Sequence, residues 1–306
     1  MQTILGAGGN IGSLLAKELK NYTDNIRLVS RNPIKVNSED ELMKADLTDT
    51  KMLDEAVYGS RIVYVTIAFD YKTKVWEDKW IPFIENVVEA CYKHNSKLVF
   101  FDNVYMYDKN SLYCMTENTR INPSSSKGMV RKKLVEIIMN HVQAGKINAL
   151  IARAPDFAGT SGSMLTDLIY NNFKKGKRAL WIGKPECKHS FIYTKDAAKA
   201  TAILGNDSNA FNRVWHLPVS SQTLSVQEWI NLFAIEMGVP AKYSSIPAGM
   251  LGFLGLFVPI MRELKEMAYQ FDRDYVFDSS NFCNTYDFVP HNPEQIVKEI
   301  ISTMNN

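Results

Sequence analysis

The residues best suited to chemistry stand at the start of the chain. Gly6, Gly8, Gly9 and Gly12 fall within the run Gly6-Ala7-Gly8-Gly9-Asn10-Ile11-Gly12, and the spacing of Gly6, Gly9 and Gly12 is G-x-x-G-x-x-G. The run follows the apolar residues Thr3-Ile4-Leu5 and precedes helical spacing at Ile11, Leu14, Leu15 and Leu19. Missing Cβ atoms let a backbone approach a phosphate, and a helix start offers unbonded N–H groups and the positive end of its dipole. Strand, glycine turn and helix in that order are the setting for a dinucleotide pyrophosphate, which would lie on Gly6, Gly8, Gly9, Asn10, Ile11 and Gly12. The alternative is a tight turn that binds nothing, but four glycines in seven residues are entropically costly without a use. A second strand ends at Ser30-Arg31. An acid at that place holds the ribose hydroxyls of NAD. Arginine there forks onto a 2′-phosphate, so NADP is the expected cofactor, with NAD possible; an ordinary surface arginine is the other reading. Asp46, with Leu47 beside it, is placed to reach the adenine edge. It could instead belong to the cap of a helix over 51–57, since Thr48 and Asp49 are capping types. Ala68, just past the apolar strand at 61–67, completes the expected cofactor set.

These residues need a frame, and the pattern supplies one. Strands at 26–30, 61–67, 97–101 and 147–151 alternate with helical stretches at 76–92 and 127–141. That alternation predicts an α/β fold with a doubly wound parallel sheet of the Rossmann type. The rhythm changes after Pro155, where short strands such as Val214-Trp215-His216-Leu217 are followed by longer helices such as 226–237. The expected division is a dinucleotide-binding domain over 1–155 and a smaller α+β substrate lobe over 156–306, partly interleaved with the sheet.

Composition narrows the function. The chain has 306 residues, 46% hydrophobic and 22% charged, with a formal net charge of +2. Such a balance suits a globular protein and offers no basic stripe for nucleic acid. The cluster Lys174-Lys175-Gly176-Lys177-Arg178 reads as a solvated helix end or loop, or as a polyanion site. Cys91, Cys114, Cys187 and Cys283 are scattered without metal spacing, and the N-terminus has no basic-then-apolar signal. A cytoplasmic protein is expected, a monomer or homodimer with a small-molecule substrate and with no nucleic acid, membrane or metal partner. The most apolar stretch, 250–261, is too short to span a bilayer and reads as a buried segment or a partner contact, with a membrane-surface helix as the remaining option. His189 and His216 read as structural polar groups.

With these segments in order, the chain resembles the extended short-chain dehydrogenase/reductase superfamily, in its NAD-dependent epimerase/dehydratase group. The resemblance rests on the glycine turn, Asp46-Leu47-Thr48-Asp49, Phe101-Asp102-Asn103-Val104-Tyr105-Met106-Tyr107, Arg153-Ala154-Pro155-Asp156-Phe157-Ala158-Gly159, the run from His189 to Ala198, and the tail from Phe282 to Met304 with Pro290 and Pro293. It implies a serine or threonine after the fifth strand and then Tyr-x-x-x-Lys on the next helix. Here Asn103 takes the serine place, and Lys127-Gly128-Met129-Val130-Arg131 puts Lys127 and Arg131 where tyrosine and lysine belong. Residues four apart share a helical face. Arg131 could hold ribose hydroxyls but cannot serve as a base, and Lys127 could serve only if desolvated. Tyr105 is the other candidate proton donor, and Tyr71, Trp76 and Trp80 either wall the same crevice or pack in the core. The implied activity is that of an NAD(P)-dependent oxidoreductase or epimerase acting on a polar small molecule, with sugars and sugar nucleotides among the candidates. The rival reading, prompted by the missing dyad, is a non-catalytic NADP-binding sensor or scaffold.

Overall fold

A computed structural model describes residues 1–305 of the chain, which divides into two compact units. The first is assembled from Met1–Asn103, Ser126–Ala154 and Ala197–Leu217, the second from Val104–Ser125, Pro155–Asp196 and Pro218–Asn306.

The first unit is built on one seven-stranded sheet. Its strands are β1 (Gln2–Leu5), β2 (Ile26–Ser30), β3 (Glu41–Lys44), β4 (Ile62–Val65), β5 (Lys97–Asp102), β6 (Ala149–Arg153) and a last strand, Val214–His216. Across the sheet they run β3-β2-β1-β4-β5-β6 and then Val214–His216, all parallel. The pattern follows from composition. The sequences of β1, β4 and β6 are buried along their whole length, as strands covered on both faces must be, while the edge strand β3 reads Glu-Leu-Met-Lys and is largely exposed. Val214–His216, which the sequence pattern groups with the later lobe, pairs with β6 through Val214↔Ile151 and Trp215↔Ala152. A three-residue strand carries too little periodicity to announce its sheet.

The strand order reverses between β1 and β4, which lie side by side with Leu5 opposite Val65. Chain leaving β1 turns one way to α1 (Asn10–Leu19) and chain leaving β4 the other, so the carboxyl ends of these two strands open a crevice. The helices α2 (Thr50–Val57), α3 (Thr73–Lys93) and α4 (Ser126–Gln143) complete the layers described here. Asp49 caps α2 by accepting from the Met52 amide at 2.9 Å. That settles which acid of the Asp46–Asp49 run is the cap.

The second unit has two small parallel pairs, Asp156–Ala158 with Phe191–Tyr193 and Ala179–Ile182 with Tyr243–Ile246. An apolar core containing Trp181, Phe191, Trp229 and Phe233 surrounds them, closed by the helices Val226–Met237 and Pro293–Asn305. His189 is buried there, its ring stacked on Tyr275 at 4.3 Å and bonded to Asp156 at 2.9 Å. The apolar stretch 250–261 departs from the expected buried segment. Leu251 is enclosed, but Met250, Phe253, Leu256, Phe257, Val258 and Ile260 are all exposed. The residues form two helices too short to present one continuous inward stripe.

Candidate functional site

The glycine turn connects β1 to α1, and its four glycines do two different things. Gly6 has φ +99, and a Cβ there would stand 2.5 Å from the Cα and N of Ile67. At Gly12 a Cβ would stand 2.7 Å from the Gly6 carbonyl and 2.8 Å from the Ala7 Cα. Both positions are therefore fixed by the turn's own packing: Gly6 against the chain leaving β4, Gly12 against the turn itself. Gly8 and Gly9 differ. A Cβ at Gly8 would meet nothing nearer than the Ser30 hydroxyl at 3.5 Å, one at Gly9 nothing nearer than the Gly6 carbonyl at 3.5 Å, and both residues are exposed. Folding does not require glycine at either. Gly9 is also the N-cap of α1 and supplies no side-chain bond to the helix start. The helix Val226–Met237, in contrast, has a full capping box from Ser225 and Glu228. An uncapped helix start facing two glycines that the protein itself does not need is a cradle with room for an anion.

Around this cradle lie the other expected cofactor residues. Ile11 and Leu47 are buried and Asn10 is half-buried at the first turn of α1. Ser30 ends β2 beside Gly8, and its buried hydroxyl makes no hydrogen bond. Arg31 follows it, exposed. Asp46 is exposed and accepts from the Thr48 amide at 3.0 Å and the Thr48 hydroxyl at 2.8 Å. Those two bonds hold its carboxyl below the usual carboxylate range, and the positive charges of Lys79 and Arg31 act in the same direction. Arg31, just past β2, and Lys79 on α3 thus both act on one small acid just past β3. Ala68 is exposed just past β4. The preceding Thr66 and Ile67 touch the glycine turn, a contact that the sequence signals only through the place of β4 beside β1.

The carboxyl end of β5 is built differently. Asp102, the last residue of β5, has a side chain with no exposure and takes two guanidinium groups. Arg131 donates from Nε to Asp102 Oδ1 at 2.8 Å, with its Nη2 2.7 Å from the same oxygen, while Arg153 reaches Oδ2 from Nε and Nη2 at 3.2 Å. Trp80 and Phe100 lie 4.7 and 4.9 Å from the Arg131 guanidinium, and Trp76 lies 5.8 Å away. The tryptophans are thus part of the core and at the same time the apolar bed of this cation. One turn earlier on α4, Lys127 is wholly buried. Its ammonium donates to the Thr73 hydroxyl at 2.8 Å and lies 4.6 Å from the Tyr71 ring centre. Lys127 and Arg131 therefore both point inward from one face of α4, as their spacing requires. Asn103 is half-buried immediately after β5.

Tyr105 belongs to the second unit, as do Tyr269 and Tyr275. Burial pushes the Tyr269 hydroxyl up to about 12, and it raises Tyr275, which is entirely enclosed, well above the ordinary phenol value. What sequence reasoning missed here is the Asp102–Arg131–Arg153 fork. Its members stand 29 and 51 residues apart, and only the strand order brings them together.

With this geometry in view, the chain can be set beside known proteins. A family model described as the NAD dependent epimerase/dehydratase family matches residues 3–215. No curated protein matches the chain by sequence. Among solved structures, the chain superposes on a double mutant of DesIV, a dTDP-glucose 4,6-dehydratase from Streptomyces venezuelae with NAD bound, with a TM-score of 0.81 at 12% identity, covering 100% of this chain and 97% of that one. It superposes on MoeE5 in complex with UDP-glucose and NAD with a TM-score of 0.79 at 17% identity, covering 99% and 98%. For a UDP-N-acetylglucosamine 4-epimerase from Bacillus cereus the TM-score is 0.77 at 18% identity, covering 100% and 99%. At such identities the likeness is one of fold.

Proposed function

Because the chain belongs to the NAD dependent epimerase/dehydratase family, we propose that it binds a nicotinamide dinucleotide on the glycine turn, NADP in preference to NAD, and acts as an oxidoreductase or epimerase on a polar small molecule of the sugar or sugar-nucleotide class. The observation that carries the proposal is the division of labour in the turn. Gly6 and Gly12 serve the fold, while Gly8 and Gly9 leave an open cradle at an uncapped helix start. When bound, the nicotinamide would supply a hydride acceptor or donor. The protein supplies the rest. The α1 amides take the pyrophosphate, and Arg31, joined by Lys79, takes a 2′-phosphate at the end of β2. Of the structures of similar fold, one is in complex with UDP-glucose and NAD, one is a dTDP-glucose 4,6-dehydratase with NAD bound and one is a UDP-N-acetylglucosamine 4-epimerase, which supports the substrate class.

The proton-transfer role falls to Lys127 or Tyr105. Lys127 is the buried donor on α4, fixed in place by Thr73 and Tyr71. Arg131 is held by Asp102, and a guanidinium cannot serve as a base, so its part is to set the charge on the face of α4 that it shares with Lys127. Titration of the protein with NADPH and NADH tests the cofactor reading: NADPH should bind about tenfold or more tightly. Incubation with NADPH or NADP and a panel of aldehydes, ketones and sugar nucleotides, followed by absorbance, tests the activity. In Lys127→Met, turnover should fall far more than cofactor affinity, since proton transfer acts in the transition state. A non-catalytic NADP-binding protein remains the second reading, favoured by one observation: Arg131, standing at the family's lysine position, is committed to Asp102. Tight NADPH binding with no turnover on any substrate would support it.

A further inference from the structure

Two surface features of the second unit have no part in the reaction proposed above. From Tyr243 to Met261 the chain carries no charged residue. The helix Leu251–Leu254 lies within that stretch, and Pro259–Lys265 leaves it through Arg262, Glu263 and Lys265; the two fold back on each other, with Gly255 so near Arg262 that a Cβ would stand 2.9 Å from the Arg262 Cα. The base is anchored by Leu251, which is fully buried. The tip is not: Phe253, Leu256 and Phe257 are 62%, 76% and 74% exposed, and Val258 and Ile260 are exposed as well. Three successive residues, Leu256, Phe257 and Val258, cannot all lie on one side of a helix or strand. The tip is therefore an apolar knob and not an apolar face. A knob is buried by a pocket on a partner or by a medium that flows around it, such as the headgroup boundary of a bilayer, and the charges of the same unit favour the second.

The second feature is the basic run at 174–178. It leads directly into Ala179–Ile182, whose neighbour is Tyr243–Ile246, and the Ala179 amide bonds to the carbonyl of Lys242. Lys175, Lys177, Arg178 and Lys242 are all exposed and, among the described residues, form no salt bridge. The knob leaves the far end of the same strand pair. The basic run and Lys242 thus stand at the amino ends of the two paired strands and the knob beyond their carboxyl ends, all within the second unit. Four exposed cations without acidic partners and an exposed apolar tip on the same unit are complementary to an anionic lipid surface.

We propose that the tip formed by Phe253, Leu256 and Phe257 inserts into the headgroup boundary of an anionic bilayer while Lys175, Lys177, Arg178 and Lys242 engage its surface charge. The attachment is peripheral, because no helix among the described residues is long and apolar enough to cross a membrane. Composition alone points away from a membrane partner, since it records that apolar residues exist and not that they face outward.

Co-sedimentation with vesicles tests this directly. On phosphatidylcholine vesicles containing about one-third phosphatidylserine, the wild-type protein should pellet at low salt, at least about tenfold more than on phosphatidylcholine alone. A triple variant, Phe253→Ser, Leu256→Ser and Phe257→Ser, should lose at least about tenfold of that binding. Its melting temperature and NADPH affinity should match wild type, because the three side chains are exposed and remote in sequence from the glycine turn. Lys177→Ser and Arg178→Ser should each cost about fivefold and weaken the salt dependence. Wild-type protein remaining in the supernatant with anionic vesicles would overturn the proposal, as would a triple variant that pellets like wild type. Light scattering that shows self-association abolished by the triple variant, with no vesicle binding, would also overturn it and assign the knob to a second copy of the chain.

Discussion

The two ends of the crevice in the first unit are built on opposite plans. At the carboxyl end of β1 the working parts are backbone: exposed glycines and an uncapped helix start, with side chains kept away. At the carboxyl end of β5 they are side chains, with Asp102, Arg131, Arg153 and Lys127 all buried and tightly bonded. The first plan depends on open space and the second on charges that satisfy one another. A backbone cradle can be carried through sequence change with little more than its glycines. A buried charge network must change as a unit, because one altered member strands the others. This suits a chain that keeps its glycine turn while carrying Lys127 and Arg131 where the resemblance implies Tyr-x-x-x-Lys.

The comparison breaks most visibly at Asp102. Asp102→Ala would leave two buried guanidinium groups without their carboxylate, a change that costs about 3–5 kcal/mol when one partner of a buried pair is removed. Chemical denaturation should show a loss of that size, and a loss below about 1 kcal/mol would mean that the fork is not a buried charge network. A smaller effect is expected at Gly12, where Gly12→Val pushes a branched side chain against the Gly6 carbonyl and the Ala7 Cα. Overpacking of this kind costs about 1–3 kcal/mol, read as a lower melting temperature whether or not cofactor is present.

These two sites also mark what can be read in a sequence. The glycine turn is legible because its requirements are local: strand, turn and helix lie within twenty residues of one another, and each glycine's constraint arises from the backbone around it. The parallel sheet is legible for the same reason, since β4, β5 and β6 announce themselves by unbroken apolar runs. The fork is not legible. Asp102 reads equally as a cap or as a site residue, and nothing near it in sequence names Arg131 and Arg153 as its partners. The exposure of Phe253 and Leu256 is hidden in the same way, because an apolar run does not reveal which side faces solvent.

At the adenine end the expected effect is smaller and concerns choice of ligand. Arg31→Asp should reverse the preference for NADPH over NADH, moving the ratio of affinities about tenfold or more. Its stability should stay within about 0.5 kcal/mol of wild type, because the residue is exposed. Wild-type protein that prefers NADH would show that Ser30-Arg31 does not read a 2′-phosphate.

The central claim is that Gly8 and Gly9 are glycine for the sake of a ligand and not for the fold. Calorimetric titration of NADPH into wild type and Gly9→Val, with a melting curve of each, tests it most directly. The account predicts a variant that melts within a few degrees of wild type, since a Cβ at Gly9 meets nothing nearer than 3.5 Å, yet binds NADPH at least about a hundredfold more weakly, a loss of about 2.7 kcal/mol or more. A folded variant that binds NADPH as wild type does would contradict it and place the cofactor elsewhere.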